Sequence, residues 1–247
     1  MSGLFAAELL KLRTIRGTWG YVLTAIGLAA LVAAATIGSE SQQDRLGDGF
    51  QSRLVRDAAG ATTITALLLG IALVTIEFRH GTITPALLTT PRRDVLLASK
   101  LLAGIAAGFA LAVAALIVIA GVAVVWLGLV DVPLELADAG EAGGRVLVSA
   151  AIAGAIGAAY GGLIHAQIPA VVGALVWLLV AEPLFGSLLS VLEIGGVADY
   201  LPASVVFAIS DPTSGGLSFL PAVGAGVAHV AGAAALAWVR TNRRDIT

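Results

Sequence analysis

Cysteine is absent from this 247-residue chain, which excludes disulfides and thiolate metal sites and leaves the redox compartment open. Charge is scarce as well. Asp, Glu, Lys and Arg make up 12% of the residues, about half of the ~25% usual in soluble domains. Several signatures of chemistry are missing. No G-x-x-x-x-G-K-S/T loop is present to cradle nucleotide phosphates. No G-x-S-x-G, H-E-x-x-H or Cys/His cluster offers a nucleophile or a metal site. An intramembrane protease would have to pair a serine such as Ser149 with His165, and these two follow no nucleophile–base pattern. The basic stretches are short and flank apolar runs, so nucleic-acid binding has no support.

What the chain does have is apolar length. Hydrophobic residues are 58% of it and the mean hydropathy is +0.97, the composition of an all-α integral membrane protein. A bilayer takes about 20 apolar residues per helix. On that measure the sequence predicts one transmembrane domain, 1–247, with six spans at 18–38, 61–78, 100–130, 145–165, 169–192 and 218–239. The third exceeds one bilayer thickness and predicts a tilted or projecting helix. Residues 2–17 predict a helix lying on the membrane surface, with Phe5, Leu9, Leu12 and Ile15 along one side. Trp19 and Tyr21 follow at the depth of interfacial aromatics. A cleaved signal peptide would also place basic residues before an apolar run, but this run is long and a leucine-rich helix precedes it. Residues 39–60 predict a loop with a helical turn near Phe50–Val55, 131–144 an acidic loop, and 203–209 a small apolar helix between Gly and Pro breakers.

Basic residues sort by side. Lys11, Arg13, Arg16, Arg79, Arg92, Arg93, Lys100, Arg240, Arg243 and Arg244 fall on the side of the termini and the central loop, leaving Arg45, Arg53, Arg56 and Arg145 opposite. The positive-inside rule then predicts cytoplasmic termini, and an odd number of spans would destroy the sorting.

The central loop holds Thr84–Pro85 and Thr90–Pro91, each an N-cap followed by the residue favoured at the first helical position. The four residues between them make little more than one turn, too short to stand alone in water. Their leucines, Leu87 and Leu88, need something to dock on. The run E-F-R-H-G-T-I-T-P-A-L-L-T-T-P-R-R at 77–93, followed by Leu97-Ala98-Ser99-Lys100 and a long apolar stretch, resembles the cytoplasmic loop of ABC type 2 exporter permeases. The opening E-L-L-K-L-R-T at 8–14, the spacing of the spans and Val180-Ala181-Glu182-Pro183 are similar to that family too.

The resemblance implies that a coupling helix between the second and third spans fits a groove on a separate ATPase subunit. Arg79, His80, Thr82, Ile83, Thr84, Pro85, Leu87, Leu88, Arg92 and Arg93 would form the docking surface. It also implies a second permease copy or a related permease, two ATPase copies holding ATP and magnesium, no catalysis or cofactor on this chain, and export across the cell membrane. A non-transporting membrane anchor or assembly factor is the alternative, and it would not need the docking loop.

Polar residues inside the spans are few: Thr62, Thr63, Thr65, Thr75, Ser149 and Glu182. That scarcity argues against an ion channel and for an apolar or amphiphilic cargo. Glu182, with Thr62 and Thr65, is a candidate for the transport path; alternatively Glu182 caps the kink made by Pro183 or approaches the outer interface. Glu77 is expected to pair with Arg79 or Arg92 at the membrane edge. Gly104-xxx-Gly108 and Gly157-xxx-Gly161 permit close helix approach, within the chain or across a dimer.

Overall fold

The computed structural model describes residues 2–14, 16–82, 93–214 and 216–242, and every regular element among them is helical. The helices are α1 (Ser2–Thr14), α2 (Arg16–Ser39), the single turn α3 (Gln42–Arg45), α4 (Phe50–Arg79), α5 (Arg93–Leu129), α6 (Leu136–Ile164), α7 (Gln167–Val176), α8 (Glu182–Val191), α9 (Pro202–Ser210) and α10 (Phe219–Asn242). A π-helical turn, Trp177–Ala181, joins α7 to α8, and a 3-10 stretch, Gly195–Tyr200, precedes α9. Six helices are long and apolar enough to cross a membrane, the α7–π–α8 rod counting as one. The chain is an all-α, multi-pass membrane protein.

Helices α4 and α6 form the centre, with 67% and 61% of their apolar windows buried inside the chain. Small residues make this possible. Gly157 and Gly161 of α6 lie against the backbone of α4 at Leu67 and Ile71, and Gly104 and Gly108 of α5 lie against α6 at Gly154 and Ala150. A Cβ at Gly104 would sit 2.6 Å from the Gly154 carbonyl oxygen and one at Gly161 2.8 Å from that of Ile71, distances no carbon tolerates. Both glycine pairs picked out in the sequence therefore mark contacts within the chain.

Three spans start well before the expected residue, the third at Arg93 rather than at residue 100. Helix α4 begins at Phe50 rather than at residue 61 and runs for 30 residues, ~45 Å at 1.5 Å per residue, against a ~30 Å hydrocarbon core. The helix is longer than that core is thick, so the polar residues of its first turns need not lie in hydrocarbon and do not stop it. Gln51 ties that projection to the loop before α6, donating to Pro133 O at 2.6 Å and accepting from Glu135 N at 2.8 Å. Helix α6 likewise starts at Leu136, inside the expected acidic loop, and Glu141 accepts two hydrogen bonds from Arg145 one turn on, at 3.0 and 3.1 Å. The third span is long as expected, 37 residues in α5.

The fifth span is the peripheral one. Only 11% of its apolar window is buried inside the chain. Its π turn comes just before Pro183, which lacks an N–H and whose ring collides with the preceding turn, a recognised cause of helix breaks. After α8 the chain turns back, and α9 re-enters the bundle with Val205, Ala208 and Ile209 buried. Ser149 Oγ donates to Val206 O at 2.8 Å and pins α9 to α6. That bond, rather than a partnership with His165, is where Ser149 is engaged.

Candidate functional site

At the end of the bundle that carries the chain termini, four charged side chains from three helices meet. Glu8 and Lys11 lie on the inward face of α1, Glu77 near the end of α4, and Lys100 in the second turn of α5. Lys11 Nζ is 2.6 Å from Glu77 Oε1 and 3.1 Å from Glu8 Oε1. Lys100 Nζ is 2.6 Å from Glu77 Oε2, an ion pair off the line of a conventional hydrogen bond, and 3.3 Å from Glu8 Oε1. The side chains of Glu8, Glu77 and Lys100 are 3–4% exposed, and only Lys11 reaches solvent, at 43%.

Two positive and two negative charges make the group neutral, the condition under which buried charge is tolerated. Burial draws the Lys11 ammonium down, but the hydrogen bond and charge of Glu77, then those of Glu8, outweigh it and hold its pKa above the usual lysine range.

This corrects one expected partner of Glu77, Arg79; the other, Arg92, lies outside the described residues. Arg79 lies two residues on, ~200° around the helix at 3.6 residues per turn, so it faces away. It is exposed and donates instead to Gln167 Oε1 at 3.2 Å. The energetic consequence reverses too, because a surface pair contributes ~0–1 kcal/mol whereas stranding one partner of a buried pair costs ~3–5 kcal/mol.

Among the predicted docking residues, Arg79, His80 and Thr82 follow Glu77 directly in the chain. His80 closes α4 and is exposed, with its N–H bonded to Ile76 O at 3.0 Å. Gly81 turns the chain at φ +67°, a conformation glycine adopts without strain. The Thr82 N–H then bonds to Glu77 O at 3.0 Å. Ile83, Thr84, Pro85, Leu87, Leu88 and Arg92 lie outside the described residues, and with them the expected coupling helix. Arg93 is the first residue of α5.

The α1 stripe is half right. Phe5, Leu9 and Leu12 are partly buried, but the most buried residue among those described on α1 is Glu8. The signal that could have found it was the presence of Glu8, Glu77 and Lys100 at ends of apolar runs, where only pairing makes burial affordable.

Glu182 is the second polar centre, and its geometry is that of a cap. Its Oε2 accepts from Trp177 Nε1 at 2.7 Å and from Ala203 N at 3.0 Å, while Oε1 accepts from Ser204 N at 2.6 Å and Ser204 Oγ at 3.0 Å. Glu182 therefore closes the part-buried N-terminus of α9, where unpaired backbone N–H groups would be costly in hydrocarbon and where a helix dipole favours an anion. The π turn carries Trp177 into the same arrangement. Beside it lies a mostly apolar cavity of about 50 Å³ that includes Thr63, Tyr160 and Trp177 among its walls.

Thr62 and Thr65, grouped with Glu182 in the sequence reading, are buried on α4 and are not among those walls. Thr65 donates to Ala61 O at 2.7 Å, and the Thr62 hydroxyl has no partner. Among the described residues no cluster of His, Asp and Glu is arranged to hold a metal. No protein-family model and no curated protein matches the sequence, so the chemistry of both centres stands on their own residues.

Proposed function

We propose that the chain is the permease subunit of an ATP-binding-cassette exporter, moving an apolar or amphiphilic molecule and coupled to an ATPase carried on another polypeptide. The observation that carries this reading is the way the central segment is rooted. Both helices from which residues 83–92 hang are bound to each other and to α1 by the buried cluster of Glu8, Lys11, Glu77 and Lys100. A push delivered to that segment is passed to three helices at once, which a loop merely joining two spans would not require. The similarity of residues 77–93 to permease docking loops supports the same reading.

In this reading the termini and the docking segment face the cytoplasm, as the sorting of basic residues favours, and the membrane is the cell membrane. Two copies, or this chain and a related one, bind two ATPase subunits that hold ATP and magnesium. ATP-driven closure of the ATPases moves the docking segment and, through the ionic cluster, the helices behind it. Glu182 holds a structural element within the membrane half of the machine.

Purification in a mild detergent, with identification of co-eluting proteins and an assay of ATP hydrolysis, tests the proposal. An ATPase is expected with the wild type and is lost with Leu87→Asp/Leu88→Asp. Wild-type protein eluting without any ATPase, under conditions that preserve other membrane complexes, favours the membrane anchor instead.

A further inference from the structure

One atom of the ionic cluster is left over. Glu8 Oε1 meets both lysines, but Oε2 is buried and has no hydrogen-bond partner. A buried carboxylate oxygen without a donor is costly, and protonating Glu8 would leave the same atom without an acceptor. Glu8 is also one wall of a cavity among α1, α2, α4 and the start of α7. Lys11, Thr18, Tyr21 and Gln167 supply its other polar walls, and Leu69, Ala72 and Leu73 belong to its apolar side. The cavity measures about 50 Å³. At ~10–15 Å³ per water-sized group, that is room for about three to five such groups. Gly17 and Thr18 of its lining sit where α1 passes into the first span, immediately before Trp19 in the chain, and such an aromatic marks the depth at which lipid headgroups lie.

We propose that this cavity binds the headgroup of a zwitterionic aminophospholipid of the phosphatidylethanolamine type. The primary ammonium and its two methylenes match the volume, and the ammonium supplies the N–H donor that Glu8 Oε2 lacks. The phosphate meets Lys11, which spends two of its three donors on Glu8 and Glu77 and turns the exposed part of its side chain outward. A zwitterion also keeps the cluster neutral, whereas a simple cation would leave a surplus positive charge beside Lys11 and Lys100. A trimethylammonium headgroup fails on both counts: it has no N–H and is too bulky. The site needs neither an ATPase nor a cargo, so it stands or falls apart from the transport reading.

The test is native mass spectrometry of the full chain released from nanodiscs of equimolar phosphatidylethanolamine and phosphatidylcholine with matched acyl chains. Wild type is expected to retain one phosphatidylethanolamine per chain, preferred over phosphatidylcholine by ~10-fold or more, the scale of one hydrogen bond to a charged group. Glu8→Gln should bring the preference close to parity. Ala72→Leu fills the apolar side of the cavity, leaves the four charges in place, and should abolish retention; it decides the matter if Glu8→Gln does not fold. Equal retention of the two lipids, a preference that survives Ala72→Leu, or no retained lipid, the result for a cavity holding only water, would each overturn the proposal.

Discussion

Lys100→Met is the sharpest perturbation the fold offers. The substitution keeps the length and apolar stem of the side chain and removes one charge that is 4% exposed. Glu77 Oε2 then loses its counter-ion among the described residues, and of the two lysines described at Glu8 only Lys11 remains, which must serve two buried carboxylates. Breaking a buried pair in this way costs ~3–5 kcal/mol. For a chain of this length ~2–4 °C of midpoint accompanies each kcal/mol, so the thermal midpoint should fall by ~6–20 °C. The double variant Lys100→Met/Glu77→Met removes one charge of each sign and leaves Lys11 facing Glu8. Because a buried pair exchanged for apolar side chains is often neutral, it should recover most of the loss. Fluorescence-detected size exclusion after graded heating in one detergent measures all three proteins. A double variant as unstable as Lys100→Met, or a single variant as stable as wild type, would refute the coupling of α1, α4 and α5 through these charges.

Other expectations follow from the same geometry. Glu182→Ala strands the N–H groups of Trp177, Ala203 and Ser204 in apolar surroundings at ~1–3 kcal/mol each; hydrogen exchange at Ala203 and Ser204 should rise by at least ~10-fold, and unchanged exchange would count against the cap. Gly157→Ala drives a Cβ into the Leu67 carbonyl and should cost ~1–3 kcal/mol. Gly121→Ala, with nothing within 4 Å of the new atom, should be neutral or stabilise by up to ~1 kcal/mol, so the two midpoints measured side by side separate packing from propensity. The raised Lys11 pKa means that the folded chain holds this proton more tightly than the unfolded one. Its contribution is therefore present below the ordinary lysine range and lost as pH rises through the raised value. Heating curves taken toward strongly alkaline pH should show that loss in wild type and less of it in Lys11→Arg.

Much of the architecture was legible because hydrophobic length is a direct physical requirement of the bilayer. Runs such as 101–130 could be nothing but spans, and the Gly-xxx-Gly spacing announced close approach before any contact was known. The turn near Phe50–Val55 was legible, but its continuity with the second span was hidden because Arg53, Arg56 and Asp57 lower the hydropathy without breaking the helix, and Asp138 and Glu141 hid the start of α6 in the same way. The ionic cluster was hidden for another reason. Lys11 and Glu77 are 66 residues apart and Glu8 and Lys100 92, so their meeting depends on how α1 folds back, which no local pattern encodes. Glu182 was visible as an oddity, but its four donors come from a π turn and from a helix that starts inside the bundle, both tertiary facts.

The glycine seams of α4, α5 and α6 have a consequence for anything that crosses the membrane beside this chain. Backbone touches backbone along these seams, so prising the three helices apart would sacrifice the contacts that hold the molecule together. If the chain transports as proposed, one copy would serve as a wall rather than a pipe. A passage would then run around its perimeter, where the fifth span is the one least buried within the chain.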